Sequence, residues 1–298
     1  MAGRLSRGWS MAKASFAVLK KHPKLAILPA MSGAIFLAIV GLILASLMPQ
    51  LGANNGATGS IWRHLGDAQA GNIWFYLSAF AVAFVLSSIA IFFNVALIHC
   101  ALRAHAGEQP SIRSGLAAAV GLLPHILGWA FIATTVGVLL SMLQDAIENY
   151  LGFLGKLLGG LLQLSWAVIT YFVVPVLVVE KVGPVTAIKR SSEILHAKWG
   201  ESLAGEARIG LLGGLFVILS ALIFVGGLAL VLSSGMKAIA GLGVILMAIG
   251  AVAGITTMVI VQTLSTIFQS GVYLYATTGQ VPPTLDRDLL DSVFQSKK

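Results

Sequence analysis

Six histidines, one cysteine and eleven carboxylates are the side chains with which this sequence could do acid–base, nucleophilic or metal chemistry. Few of them come together. His99, Cys100 and His105 share one stretch, but a metal centre needs further ligands in defined geometry and no acidic cluster accompanies them. They read as polar residues at a helix end, and no metal or other cofactor is assigned. Ser233-Ser234-Gly235 has no histidine within reach along the sequence, and the glycines are scattered through apolar runs instead of forming a phosphate loop. No catalytic residue is assigned, and the chain reads as a non-enzyme. His125, directly after Pro124, stands apart. An ionisable residue inside an apolar run marks function by default; here it would bond backbone freed by the proline or line a polar cavity. Asn94, Gln262, Thr263, Thr266 and Gln269 are the other polar residues in apolar surroundings. Two readings stand for them: Asn94, His125, Gln262 and Gln269 as candidate cavity residues, or hydrogen bonds between helices.

The elements that must position these residues follow from composition. Hydrophobic residues make up 57% of 298 and charged residues 10%, with a mean hydropathy of +0.92. A soluble domain carries about 25% charged residues. The few charges cluster between runs of roughly 20 apolar residues, the length that crosses a hydrocarbon layer about 30 Å thick. Backbone in lipid must satisfy its own hydrogen bonds, so the spans are helices. The reading is an all-α polytopic membrane protein forming a single membrane domain over 1–298. Its six transmembrane helices make three hairpins, at about 26–48, 73–101, 116–142, 157–179, 208–232 and 238–261, the last extended as helix to 278. The first run, Leu25 to Met48, is too long for the core of a signal peptide. Residues 143–156, with Asp145, Glu148 and Lys156, read as a short outer linker, and span 3 contains Pro124. Gly155/Gly159, Gly210/Gly214 and Gly250/Gly254 have the spacing that lets helices approach closely.

Charge sets the orientation. With the N-terminus inside, all but three (Arg63, Lys156 and Lys237) of the 19 Lys and Arg fall on the cytoplasmic side. The net charge of +8 is then a membrane signature, and nucleic acid is excluded as a partner. The expectation is a bacterial plasma (inner) membrane protein, multi-pass, with both termini cytoplasmic.

Two basic stretches read as amphipathic helices on the cytoplasmic surface. In 1–24, Leu5, Trp9, Ala12, Phe16 and Leu19 form one face. In 184–199, Val185, Ile188, Leu195 and Trp199 share a face completed by Ser192, with Lys189 and Arg190 elsewhere. Trp9, Phe16, Ile188, Leu195, Trp199, Lys189 and Arg190 are the expected contacts to lipid or a partner. Residues 280–298 form a cytoplasmic tail.

A weak internal repeat links these parts. L-P-x-x-x-G-x-x-F occurs at Leu28–Phe36 and Leu123–Phe131, and Gly107-x-x-Pro110 answers Gly279-x-x-Pro282, with Gly183-Pro184 as a compressed version. Lys13, Ser15 and Leu19 echo Lys189, Ser191 and Leu195. The segments Arg4-x-x-Arg7-Gly8-Trp9, Phe93-Asn94-x-Ala96-Leu97, Pro175 to Pro184, Ala187 to Ser191, Lys198-Trp199-Gly200 and Tyr275 to Gly279 together resemble a family of uncharacterised prokaryotic six-span membrane proteins. More distantly, the chain is similar to the membrane domain fused to some glycerophosphodiester phosphodiesterases, without their catalytic domain. The resemblance implies topology and no catalytic or binding residue.

Two functional readings remain. One is a non-catalytic integral membrane protein binding membrane lipid or partner proteins, including other membrane proteins or itself, through its cytoplasmic face. The other is a small-solute or lipid transporter with a polar cavity between spans 2 and 6.

Overall fold

A computed structural model describes residues 15–52, 73–197, 202–233 and 237–279. Trp9, Trp199 and the tail lie outside the described residues. Described residues are helical with no strand. Residues 15–21 are helical and a 3-10 turn covers Pro23–Ala26. There follow α1 (Ile27–Gly52), α2 (Ile73–His105), α3 (Ile112–Gly121), α4 (Leu123–Leu151) and α5 (Phe153–Ile169). The chain continues with α6 (Val173–Glu180), α7 (Pro184–Ala197), α8 (Ser202–Ser233) and α9 (Lys237–Thr278). Six helical stretches are long and apolar enough to cross a membrane, namely Pro23–Ile43, Tyr76–His105, Leu123–Leu151, Phe153–Glu180, Gly213–Ser233 and Ile239–Thr278.

Three boundaries differ from the sequence reading, each for a local reason. The third span starts at Leu123, because α3 ends at Gly121 and Pro124 sits in the first turn of α4, where its missing N–H costs nothing. The expected linker 143–156 is helix through Leu151, since Leu143, Ile147 and Leu151 keep helical spacing and no breaker intervenes before Gly152. Gly152, at φ +57, makes the turn, and Lys156 already belongs to α5. The fourth span is in two pieces. Pro175 has no N–H for the carbonyl four residues back, and its ring crowds that carbonyl. The winding therefore stops at Ile169 and restarts at Val173, with Pro175 in the first turn of α6.

The chain divides into two compact units, one of Met1–Pro29, Ala96–Gly115 and Ser192–Lys298, the other of Ala30–Val95 and Leu116–Ser191. In the first unit α8 and α9 pack as a hairpin seamed by glycine. A methyl group on Gly227 would meet the Gly243 carbonyl oxygen at 2.6 Å, and one on Gly250 would meet the Ser220 carbonyl oxygen at 2.8 Å. Gly213 faces Val261. Gly210 and Gly214, matched to this role by spacing alone, face open space. In the second unit α4 and α5 pack as a hairpin in which Gly155 meets Ile147 and Gly159 meets Gln144.

Burial is uneven along the long helices. α9 exposes Leu242, Val252 and Ile255 in its N-terminal half and buries Thr263, Ile267, Phe268, Ser270 and Tyr273 in its C-terminal half. α2 likewise exposes Trp74 and Leu77 and buries Val95 through Ile98, then Ala101 and His105. His105 Nε2 lies 3.0 Å from the Ile267 carbonyl oxygen, so that nitrogen carries the proton. The apolar halves need a hydrocarbon solvent; the other halves make a protein core. Both helices end on a left-handed glycine, Gly107 at φ +79 and Gly279 at φ +68, the conformation that only glycine adopts without steric cost.

Candidate functional site

α7 begins as the Gly-Pro pair dictates. Pro184 fills the first helical position, and the Ala187 amide donates to the Gly183 carbonyl at 2.9 Å. Its start rests on α4, where a methyl group on Gly128 would lie 3.0 Å from Pro184 Cγ. The two glycine–proline motifs noted in the sequence thus meet each other. Behind it, α6 ends on Lys181, whose φ of +51 makes it the one non-glycine residue in the left-handed region among the described residues. The compressed repeat therefore places its left-handed turn on Lys181 and not on Gly183. A cation there complements the helix C-terminus.

The packed face of α7 takes in only part of the apolar face read from the sequence. Ala187, Ser191, Ile194 and Leu195 are buried, Ile188 is half-buried, and Val185 is 59% exposed. Lys189 and Arg190 are exposed. Arg190 Nε donates to Glu180 Oε1 at 3.1 Å, tying α7 back to the end of α6. An exposed pair of this kind contributes at most about 1 kcal/mol.

Ser191 makes the decisive contact. Its hydroxyl donates to the Ile169 carbonyl at 2.7 Å and accepts from the Phe172 amide at 3.0 Å. These two backbone groups flank the break between α5 and α6. In hydrocarbon each would cost several kcal/mol if left unpaired. One fully buried hydroxyl from a helix outside the span satisfies both. The rest of the break is closed locally: the Thr170 amide and hydroxyl both bond the Trp166 carbonyl, and the Tyr171 amide bonds the Val168 carbonyl. α6 itself is buried along Val173–Val178. Sequence reasoning missed Ser191 as a contact residue. Its signal was Pro175, which predicts an unsatisfied turn ahead of it, together with the echo of Ser15.

The N-terminal surface segment repeats the pattern of burial. Ser15, Val18 and Leu19 are buried while Phe16 is 52% exposed, so Phe16 does not share a packed face with Leu19. Ser15 Oγ has no hydrogen-bond partner. His22 is held below the usual histidine range, first by partial burial and then by the charge of Lys21.

The candidate cavity residues are dispersed. Asn94 is half-buried in the second unit; in the first, Gln269 is half-buried and Gln262 exposed. Thr263 turns its hydroxyl back to the Val259 carbonyl of its own helix at 2.6 Å. His125 is half-buried, with Nδ1 buried and without a partner, and the buried Thr134 hydroxyl, also on α4, is likewise without one. Trp129, one turn on from His125, lies against Trp166 at 6.2 Å between ring centroids. Cys100 donates weakly to the Ser111 carbonyl at 3.4 Å beside Gly115, which lets α3 approach α2. Among the described residues no three His, Cys, Asp or Glu side chains converge as metal ligands.

Residues 73–282, from the start of α2 to beyond the end of α9, match a family of unknown function, DUF6159. The chain belongs to that family. The DUF6159 match takes in both hairpins, the broken span and α7, and begins after α1 and the N-terminal surface segment. No curated protein and no solved structure matches the chain, so the likeness to glycerophosphodiester phosphodiesterase membrane domains gains no support from them.

Proposed function

We propose that this is a non-catalytic integral membrane protein that binds anionic membrane lipid through the basic side carrying α7. One observation supports the reading above the others. α7 buries one face and presents Val185, Lys189 and Arg190 on the rest of its surface, beside the polar end of a membrane-crossing helix. An exposed apolar residue next to lysine and arginine suits the headgroup boundary, where each cation contributes about 1 kcal/mol against an anionic surface. The uneven placement of lysine and arginine supports a bacterial inner-membrane orientation with this side cytoplasmic. Partner proteins, or a second copy of the chain, are the competing occupants of the same face.

Spin labels at Val185, Thr186, Lys189 and Glu193, in vesicles of phosphatidylcholine with and without phosphatidylglycerol, test the reading. Collision with a lipid-borne quencher at Val185, strengthened by the anionic lipid, is the expected result. Equal access of an aqueous quencher at all four positions would defeat it. Orientation is tested separately, in a Cys100→Ala background. An impermeant thiol reagent should label a cysteine at Ser60 or Ser234 in intact cells and leave one at Thr186 unlabelled.

A second reading, a small-solute or lipid transporter, draws on the break in the fourth span, because interrupted helices are where transporters expose backbone to cargo. Uptake by vesicles that is lost in Asn94→Leu and Gln269→Leu without loss of folded protein would favour it.

A further inference from the structure

We propose that α7 is a latch on a jointed span: docked, its Ser191 closes the joint between α5 and α6, and anionic lipid on its exposed side favours the docked state. The trigger rests on the lipid reading above; the joint and the latch rest on geometry alone.

Pro175 has no amide for the Tyr171 carbonyl, and ahead of it the winding slips to three-residue bonds, the Tyr171 amide to the Val168 carbonyl and the Val173 amide to the Thr170 carbonyl. The helical partners of the Ile169 carbonyl and the Phe172 amide are thereby taken, and both groups find the Ser191 hydroxyl, 22 and 19 residues further along the chain. A partner inside the span would make the break a permanent kink. A partner on a separate helix makes the joint depend on where that helix sits. Besides Ser191, α7 is held by the seat of Pro184 on Gly128, the ion pair from Arg190 to Glu180, and its buried face. It hangs from α6 by the left-handed turn at Lys181 and the open Gly183. Lys189 lies two residues from Ser191, about 200° around the helix. Headgroups can therefore engage the cation while the hydroxyl stays in the joint. Lifting α7 withdraws the one hydroxyl from both backbone groups together, so the joint opens as a unit and admits water to the Phe172 amide.

Hydrogen exchange of the peptide covering residues 169–173 reads the joint, with the full chain in nanodiscs of phosphatidylcholine alone or mixed with phosphatidylglycerol. Exchange should be roughly tenfold slower in the anionic discs, as expected for a local opening that lipid suppresses. Lys189→Gln should erase that difference without unfolding the protein. Ser191→Ala should exchange fast in both discs, and Ser191→Thr, which keeps the hydroxyl, should restore lipid dependence. Gly128→Leu, which leaves the hydroxyl intact and pushes Pro184 away, should also exchange fast, so the latch is tested even if Ser191→Ala does not fold. A merely structural serine would raise exchange on substitution but give the wild type the same rate in both discs, and that result overturns the proposal. If it occurs while the spin labels still place Val185 in lipid, the latch falls and the lipid reading stands. Labels that place α7 in water, with no lipid effect on exchange, would sink both.

Discussion

Residues 15–21 and α7 are two surface helices with one pattern and two outcomes. Each has lysine two residues before a serine and leucine four residues after it, as Lys13-Ser15-Leu19 and Lys189-Ser191-Leu195. Both serines and both leucines are buried, and each helix exposes an apolar side chain, Phe16 or Val185. The hydroxyls then part company. Ser191 satisfies a carbonyl and an amide at once, while Ser15 is buried with no partner. The pattern thus determines which face is covered, and the surface lying opposite determines what the serine contributes. A hydroxyl facing a proline-made break is worth two hydrogen bonds; one facing no polar group carries only its desolvation penalty.

The sharpest way to break the comparison is Ser191→Ala. Two orphaned backbone groups should destabilise the protein by about 2–5 kcal/mol, read as a fall in melting temperature. Cys100, fully buried and the sole cysteine, is a built-in reporter through a thiol-reactive dye. A loss under about 1 kcal/mol would mean that the hydroxyl bonds are replaced by others. Next in size is the coupling between Ser191 and Pro175. Pro175→Ala restores an amide and lets α5 and α6 wind through, so Ser191→Ala should cost about 1–2 kcal/mol less in that background. Additive effects would detach the serine from the break. Ser15→Ala should change stability in the opposite sense, from no effect to a gain of about 1 kcal/mol. A loss as large as that of Ser191→Ala would erase the contrast. The smallest effects belong to Phe16→Ser and Val185→Ser, within about 0.5 kcal/mol in detergent because both side chains are exposed. In vesicles both should weaken lipid contact at their own helix, measured by lipid-quencher collision. A large melting shift in detergent would show that one of them packs on protein.

Much of the fold was legible beforehand, because apolar length against bilayer thickness is a one-dimensional quantity. The six runs could be counted, and glycine three residues ahead of proline marks where α2 and α9 end, near Gly107 and Gly279. The differences are local. Pro124 lies inside the third span but in the first turn of α4, so the span starts at Leu123, and Pro175 divides the fourth span into two helices. Residues 143–156 were read as a linker because they carry charge, although Asp145 and Glu148 ride on an unbroken helix until Gly152. Gly210 and Gly214 had the right spacing for a seam and the wrong face.

The site was legible only in part. The helix from Pro184 and the exposure of Lys189 and Arg190 were readable, since proline starts helices and cations remain outside. The face that packs was not. A helix with apolar residues on more than one face can bury any of them, and hydrophobicity does not say which. Val185 and Phe16 are therefore exposed while serines are buried beside leucine.

What the sequence by itself determined is whatever depends on transfer between solvents: all-helical spans, their number, and the burial of one side of each surface helix. These follow from hydrocarbon being unable to bond backbone or solvate charge. Only the tertiary structure decided which hydrogen bonds close the gaps that proline opens. Ser191 reaches the Ile169 carbonyl and the Phe172 amide across about twenty residues of chain; Pro175 signals that a turn needs a partner, but no period, spacing or composition says that Ser191 reaches it. The pairing exists because an unpaired polar group in a low-dielectric interior is costly enough to select a nearby hydroxyl that can serve two partners.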